Sequence, residues 1–421
     1  MKITIIDAYH DSDRGGVGIL LGLVNLINGV LEHKNISPEY RIIRRFHVKD
    51  SRYHTANRHV AALLPDTQIL GSPIAISFWG IIKAIFGLVL LRFGDQEVIN
   101  TIKSSDRVIS KGGHFYTSMT RNPVKGLISG FIEFYVPLLV LRLSKPIIFI
   151  SHSVGPFNNW GARLVAGFVF KRASFCSARE EYSRAILKDL GVEQVSVWPD
   201  TAFALDPASN ERLYEYFTEG TNKILRSQQY AVLTPRLWDF PQKESENDYL
   251  ETMAQLADYM IEKGFVQQVL LVVHNDGLQR TDSDIVPVNE IFNRIQNKHR
   301  CSVVDHDLPP DVQSKLYGEA RIIVGTRLHS IIFALVGGGT PFIAVNYSHK
   351  VQGILEMLSA QRYMLNVGDY EKGTALVDEI FGMDQEIRTN NIKNVTDCRD
   401  SLTKVMKKVI FPEDGNESLL H

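Results

Sequence analysis

Five short segments combine residue types that can hold an anion or move a proton. The richest is Gly325-Thr326-Arg327-Leu328-His329-Ser330, which sits between two apolar runs that read as a strand and a helix. A helix start offers N–H groups without intrahelical partners and the positive end of a dipole, so it favours an anion. Arg327 adds a planar fork suited to carboxylate or phosphate. His329 can donate or accept a proton near neutral pH. Arg327 and Leu328 are therefore candidate substrate-binding residues, and His329 is the first candidate acid. Ser151-His152-Ser153-Val154-Gly155-Pro156 follows the most apolar strand, and its Gly-Pro pair predicts a tight turn after His152, the second candidate. Asp11-Ser12-Asp13-Arg14-Gly15-Gly16-Val17-Gly18 opens the first helix. Glycines such as Gly15 let backbone N–H groups approach an anion there, although the spacing is neither GxGxxG nor a P-loop. Lys111-Gly112-Gly113-His114-Phe115 and Pro235-Arg236-Leu237 complete the set, with Gly112, Gly113 and Arg236 as candidate substrate ligands.

Other polar residues have two readings each. Arg179 is an anion ligand or the partner of a carboxylate. Lys350, in Tyr347-Ser348-His349-Lys350, is a ligand or a surface residue. Asp200, after Trp198-Pro199, fits a helix cap. His274, Asn275, Asp276, Asp282 and Asp284 read as a solvated loop after a strand, with neither EF-hand nor zinc spacing.

The elements that must carry these loops alternate. Residues 2–6, 40–46, 107–109, 146–150 and 193–197 read as strands in the first half. Residues 230–233, 268–273, 302–304, 321–324 and 341–345 do so in the second, with helical patterns between them and a closing helix over 395–409. Strands alternating with helices imply parallel βαβ units. The fold class expected is α/β, two Rossmann-like parallel-sheet domains over 1–206 and 207–421, facing across a cleft that holds the ligand.

Composition limits the rest. The chain has 421 residues, 44% hydrophobic and 22% charged, as in a globular protein of about two domains. A formal net charge of -1 gives no field for nucleic acid, so no nucleic-acid partner is expected. Three scattered cysteines and a start, MKITIIDA, that reads as a strand fit a reducing cytoplasm. Residues 74–91 are apolar apart from Lys83 and have three readings: a buried helix, a helix lying in a membrane interface, or a span. Residues 33–59 hold seven Lys or Arg against two acids, either a solvated face or an attraction for an anionic membrane or pyrophosphate. Residues 127–143 read as a crossover helix kinked at Pro137.

At these loops the chain resembles the polysaccharide pyruvyl transferase family, its colanic-acid-type members above all. The blocks are ISHSVGP (150–156), SAREEYSRAILKDLGV (177–192) followed by Asp200, and VGTRLHSIIFAL (324–335) followed by TPFIAVNYSHKVQGIL (340–355). The resemblance implies a two-domain fold of the GT-B type. It also implies transfer of a pyruvyl group from phosphoenolpyruvate onto two sugar hydroxyls, leaving a cyclic ketal. On that resemblance Arg327, His329, His152 and Arg179 carry the family's functional positions, and no cofactor or metal is called for. Two departures lie in the first domain, the expected acceptor side. Gly16 stands where the family often has an acid, and Ser118 where it often has an Asp.

Phosphoenolpyruvate needs several fixed cations, for which Arg327, Arg179, Arg236 and Lys350 are the candidates. His329 or His152 would protonate the methylene carbon, and the other would take the sugar proton. The acceptor implied is a sugar, in such pathways often carried on a polyprenyl pyrophosphate at the inner membrane face. Residues 74–91 and 33–59 would then dock the protein peripherally. Two other readings remain at this stage: a GT-B glycosyltransferase using a sugar nucleotide, and a non-catalytic member of an assembly complex.

Overall fold

The structure, a computed structural model, describes residues 1–50, 58–240, 243–277, 283–347 and 349–412. Arg52, Asp282 and Ser348, and the His349 side chain, lie outside the described residues.

Buried, β-branched runs dictate the two sheets. β1 (Lys2–Ala8) is buried at every position after Lys2, and β9 (Tyr230–Thr234) at every position, as parallel strands covered on both faces must be. In the first sheet β1 lies between β2 (Glu39–Arg44) and β4 (Arg107–Ser110). β3 (Gln68–Leu70) extends it beyond β2, and β6 (Ile147–Phe157), β7 (Phe175–Ala178) and β8 (Ser196–Val197) extend it beyond β4. β5 (Gly113–Ser118) pairs with the second half of β6. The second sheet runs β11 (Cys301–Val304), β10 (Gln268–Val272), β9, β12 (Ile322–Gly325), β13 (Phe342–Val345), β14 (Met364–Leu365). All these pairings are parallel. The strand order reverses at β1/β4 in one sheet and at β9/β12 in the other. Such switch points open a crevice at the carboxyl ends of the strands, where α/β proteins bind ligands.

The chain forms two compact units, but they are not a simple cut at 206. Unit 1 comprises Met1–Asp11, Ile19–Thr201 and Asp400–His421. Unit 2 comprises Ser12–Gly18 and Ala202–Arg399. The closing helix Asp384–Ile410 is 27 residues long, far beyond the expected 395–409, and its end belongs to unit 1. There Arg107 donates to the Ile410 carbonyl at 3.0 Å and the Lys34 ammonium lies 4.3 Å from the Phe411 ring centre.

Other expectations also shift. Residues 127–143 form two helices, Pro123–Glu133 and Tyr135–Arg142, bent by 64° at Phe134 rather than kinked at Pro137. A proline clashes with the carbonyl four residues back, so the chain breaks early enough to leave Pro137 in a first turn. The apolar 74–91 segment yields only the 12-residue helix Phe78–Val89, about 18 Å long and too short to span a bilayer core. The helix Arg14–Glu32 is long and apolar enough to cross a membrane, but 78% of that window is buried inside the protein. The described cations of the basic 33–59 segment are divided: Lys34, Lys49 and Arg58 are exposed, whereas two turn inward. Arg44 is buried and donates to Asp11 at 3.3 Å, and Arg45 pairs with Asp7 and Glu133.

Candidate active site

The crevice at the β9/β12 switch point of unit 2 gathers most of the candidate residues. Arg236 leaves the end of β9, and Arg327 leaves the end of β12 as the N-cap residue of helix Leu328–Gly338. Hydrogen bonds tie the two loops together. The Tyr249 hydroxyl accepts from the Arg236 backbone N–H at 3.1 Å and lies 2.7 Å from Thr326 Oγ1. Thr326 N–H donates to the Thr234 carbonyl at 3.1 Å. Arg236 Nη1 donates to the Tyr347 hydroxyl at 3.1 Å. Trp238 lies beside Tyr249 and Tyr347, with ring centres 5.1 and 5.6 Å away, so one side of the crevice is aromatic. Lys350 is half-buried in the first turn of helix His349–Met357.

Arg327 is held tightly. Its Nε lies 3.1 Å from both oxygens of Asp284, and its Nη2 donates to Oδ1 at 2.7 Å. Burial opposes the guanidinium charge, but Asp284 outweighs it and keeps Arg327 more firmly protonated than usual. Two of its five N–H groups are thus spent on a carboxylate, and the fork is not wholly given to an outside anion. Asp284 is itself fully buried and accepts from the Asn275 N–H at 2.9 Å. The expectation of a solvated loop holds for Asp276, which is exposed, but not for His274, Asn275 or Asp284, which are buried, and Asp284 is an internal counter-ion. Burial, with Arg327, His329 and Arg14 nearby, drives the His274 pKa far below the usual imidazole value, so its ring is neutral.

His329, half-buried, is the second residue of helix Leu328–Gly338, where the dipole and helix-end N–H groups act. Its ring rests on Gly15. A Cβ on Gly15 would fall 2.2 Å from His329 Nδ1, so only a glycine leaves room. The first loop thus joins unit 2, although the sequence places it after β1. Arg14 anchors it, its N–H donating to Asn275 Oδ1 at 3.1 Å and its Nε to the Leu308 carbonyl at 2.9 Å. Leu328 has its side chain in the core, so only its backbone can face a ligand.

The candidates in unit 1 are placed differently. ISHSVGP is not a loop: it forms the second half of β6. His152 is fully buried, with Nε2 3.0 Å from Ser110 Oγ and aromatic rings of Phe115, Tyr116 and Phe149 around it. Burial is the main cause that lowers its pKa to about 3. His152 thus sits as a neutral imidazole in the interior of unit 1 and not on an open loop. Arg179 is buried as well, donating to Ser153 Oγ at 2.6 Å and paired with Asp200 and Glu180. Of its two readings the internal ion pair is the one observed, and Asp200, directly before the 3-10 helix Thr201–Ala204, is one of its partners. Gly112 and Gly113 serve the sheet. A Cβ on Gly112 would lie 2.8 Å from the Ser151 carbonyl, and Gly113 has φ +135°. Both allow β5 to run beside β6. Ser118 closes that strand and accepts from Asn159 Nδ2 at 2.9 Å.

Sequence reasoning missed Asp284, Tyr249 and Tyr347 as parts of the site. The signal was positional: Asp284 stands just before a helix that follows β10, and Tyr347 follows β13, both near strand ends of the same sheet.

Two parallel-sheet α/β units with crevices at their switch points define the GT-B type of fold. Solved structures of similar fold include Anabaena Alr3699/HepE in complex with UDP-glucose, at TM-score 0.56 and 13% identity, covering 99% of this chain and 100% of that one. A glycosyltransferase from Rickettsia africae matches at TM-score 0.57 and 13% identity, covering 99% of each chain. In sequence, residues 19–349 match the polysaccharide pyruvyl transferase family, and the chain belongs to that family. The amylovoran biosynthesis protein AmsJ of Erwinia amylovora is 25% identical over 395 residues, spanning 89% of this chain and 90% of AmsJ.

Proposed function

We propose that this transferase moves the pyruvyl group of phosphoenolpyruvate onto two neighbouring hydroxyls of a sugar in a polysaccharide precursor. The observation that carries the reading is the half-buried His329 imidazole, seated on Gly15 at a helix start beside the Arg327–Asp284 pair. A proton passes from His329 to the methylene carbon of the enol, which becomes a methyl group. The central carbon gains cationic character and one sugar hydroxyl adds to it. Phosphate departs with the C–O bond pair, and the second hydroxyl closes the ketal. Of the two hydroxyl protons, one restores His329 and the other leaves with phosphate. Arg236 and Lys350 supply the positive charge that a small, highly charged anion needs. Arg327 adds a charge that Asp284 orients. A precursor carried on a polyprenyl pyrophosphate suits the reading but is not required by it.

The competing reading, sugar-nucleotide transfer, draws on the UDP-glucose complex of HepE. Thermal shift separates the two, since a ligand that binds only the folded state raises its melting temperature. Phosphoenolpyruvate should stabilise the protein and UDP should not; the reverse result overturns the proposal. With sugar acceptors, phosphate release should accompany the mass gain of a pyruvyl ketal. His329→Gln should lower that turnover by about 10²–10⁴-fold while keeping the thermal shift.

A further inference from the structure

Exposed apolar side chains are unevenly distributed in this protein. Eighteen large ones stand open among the described residues, and fifteen of them fall in three stretches of unit 1: 76–93, 119–128 and 160–168. Trp79 is 76% exposed and Trp160 64%. On helix Trp160–Phe170 the open residues are Trp160, Leu164 and Phe168, a stripe at every fourth position along one face. Helix Pro123–Glu133 adds Leu127 and Ile128.

Helices Pro123–Glu133 and Trp160–Phe170 pack directly on each other, and helix Phe78–Val89 joins them through the intervening helix Tyr135–Arg142. Gly130 and Gly161 let helix Pro123–Glu133 lie almost backbone to backbone on Trp160–Phe170: a Cβ on Gly161 would fall 2.1 Å from the Pro123 carbonyl, and one on Gly130 3.4 Å from Ala162 Cα. Tyr135, which opens the next helix, donates to the Ala84 carbonyl of helix Phe78–Val89 at 3.1 Å. Soluble monomers rarely leave so large an apolar cluster open.

The charges beside the cluster identify its occupant. Lys83, Arg92, Arg121, Lys125, Lys171 and Arg172 lie in or next to these stretches, while Arg163 pairs with Asp189; of the nearby acids, Glu133 is taken up by Arg45 and Asp95 caps the helix Gln96–Ser104. Arg172 lies 3.9 Å from the centre of the Phe168 ring, so a cation borders the apolar stripe directly. Apolar faces with tryptophans, rimmed by Lys and Arg, are the signature of helices that lie in the headgroup region of an anionic bilayer. We infer that these three helices form a docking face for a bilayer bearing anionic lipids. The inference is independent of the reaction proposed above. It keeps the sequence expectation for residues 74–91 and adds helices Pro123–Glu133 and Trp160–Phe170 to the face.

The test is co-sedimentation of the full chain with vesicles of phosphatidylcholine alone and of a phosphatidylcholine–phosphatidylglycerol mixture. The chain should pellet with the mixture, less with phosphatidylcholine, and be released by salt. Replacing Lys83, Lys125 and Lys171 by Ala should weaken binding by roughly fivefold per charge. Trp160→Ser with Leu164→Ser and Phe168→Ser should abolish it. Both triple variants alter open side chains, so their melting curves and their stabilisation by phosphoenolpyruvate should match wild type. Failure to pellet with the mixture at any lipid concentration overturns the inference, as does wild-type binding by the serine variant. So does sedimentation velocity showing a dimer that the serine variant converts to monomer, because the face would then be an interface between copies.

Discussion

Gly15 and His329 are 314 positions apart, and their contact is the tightest constraint on the proposed acid. A methyl group at Gly15 would overlap the imidazole at 2.2 Å from Nδ1, so Gly15→Ala must push the ring aside. Alanine suits a helix better than glycine, and the fold should hold. We expect turnover to fall about a hundredfold, as misplacement by an ångström does, with the melting temperature little changed. Phosphate release and a thermal melt of the same preparation check this. His152 makes the opposite kind of prediction. Its pKa falls to about 3 in the folded protein, against 6.5 for a free imidazole. Between those values the unfolded chain binds a proton that the folded one refuses. The stability due to neutral His152 is therefore complete above pH 6.5 and lost as pH falls toward 3, with a slope approaching about 1.4 kcal/mol per pH unit. Buried His274 acts in the same direction. Urea melts at falling pH should show this loss, and His152→Gln should flatten it while leaving turnover at neutral pH within a few fold. A collapse of turnover in that variant, with stability intact, would return His152 to the chemistry.

At the level of elements, strands were legible because parallel strands are buried on both faces and read as apolar runs. The loops after β9 and β12 were legible for the same reason: an arginine directly after such a run must emerge at the carboxyl end of the sheet. The two histidines show where this logic stops. His152 and His329 each follow an apolar strand, yet β6 continues through ISHSVGP because β5 offers it a second partner. Nothing local to residues 150–156 encodes that pairing. Arg179 and Arg327 were also alike on paper, and each met a buried carboxylate from beyond its own motif, Asp200 and Asp284. The Asp284–Arg327 pair carries a strong expectation. With Asp284 fully buried and Arg327 nearly so, Asp284→Asn removes the main counter-charge of a buried guanidinium, at a cost of about 3–5 kcal/mol. The double variant Asp284→Leu with Arg327→Met should recover most of that stability, since apolar isosteres often replace buried ion pairs without loss. It should not recover activity. Denaturant midpoints of the three proteins decide the first point and phosphate release the second.

For the whole molecule, the sequence showed two α/β units but not how the chain is shared between them. Unit 1 takes back residues 400 onward, and unit 2 takes Ser12–Gly18 from the far end. Long helices carry a chain past any boundary that composition suggests; the one junction it did indicate, near Asp206, falls at Thr201/Ala202. The returning segment matters energetically. Leu402, Val405, Met406, Val409 and Ile410 are all buried. At about 1.5–3 kcal/mol for each buried side chain, their loss approaches the roughly 5–15 kcal/mol that holds a domain together. Such area-based values are upper bounds, but even half would leave unit 1 marginal. A fragment comprising residues 1–206 should therefore show no cooperative thermal transition, and a chain stopped at Arg399 should lose the transition of unit 1 while keeping that of unit 2. Calorimetry on both, beside the full chain, measures this directly. A fragment 1–206 that melted cooperatively near the temperature of the intact protein would mean that residues 400–412 lean on unit 1 without supporting it.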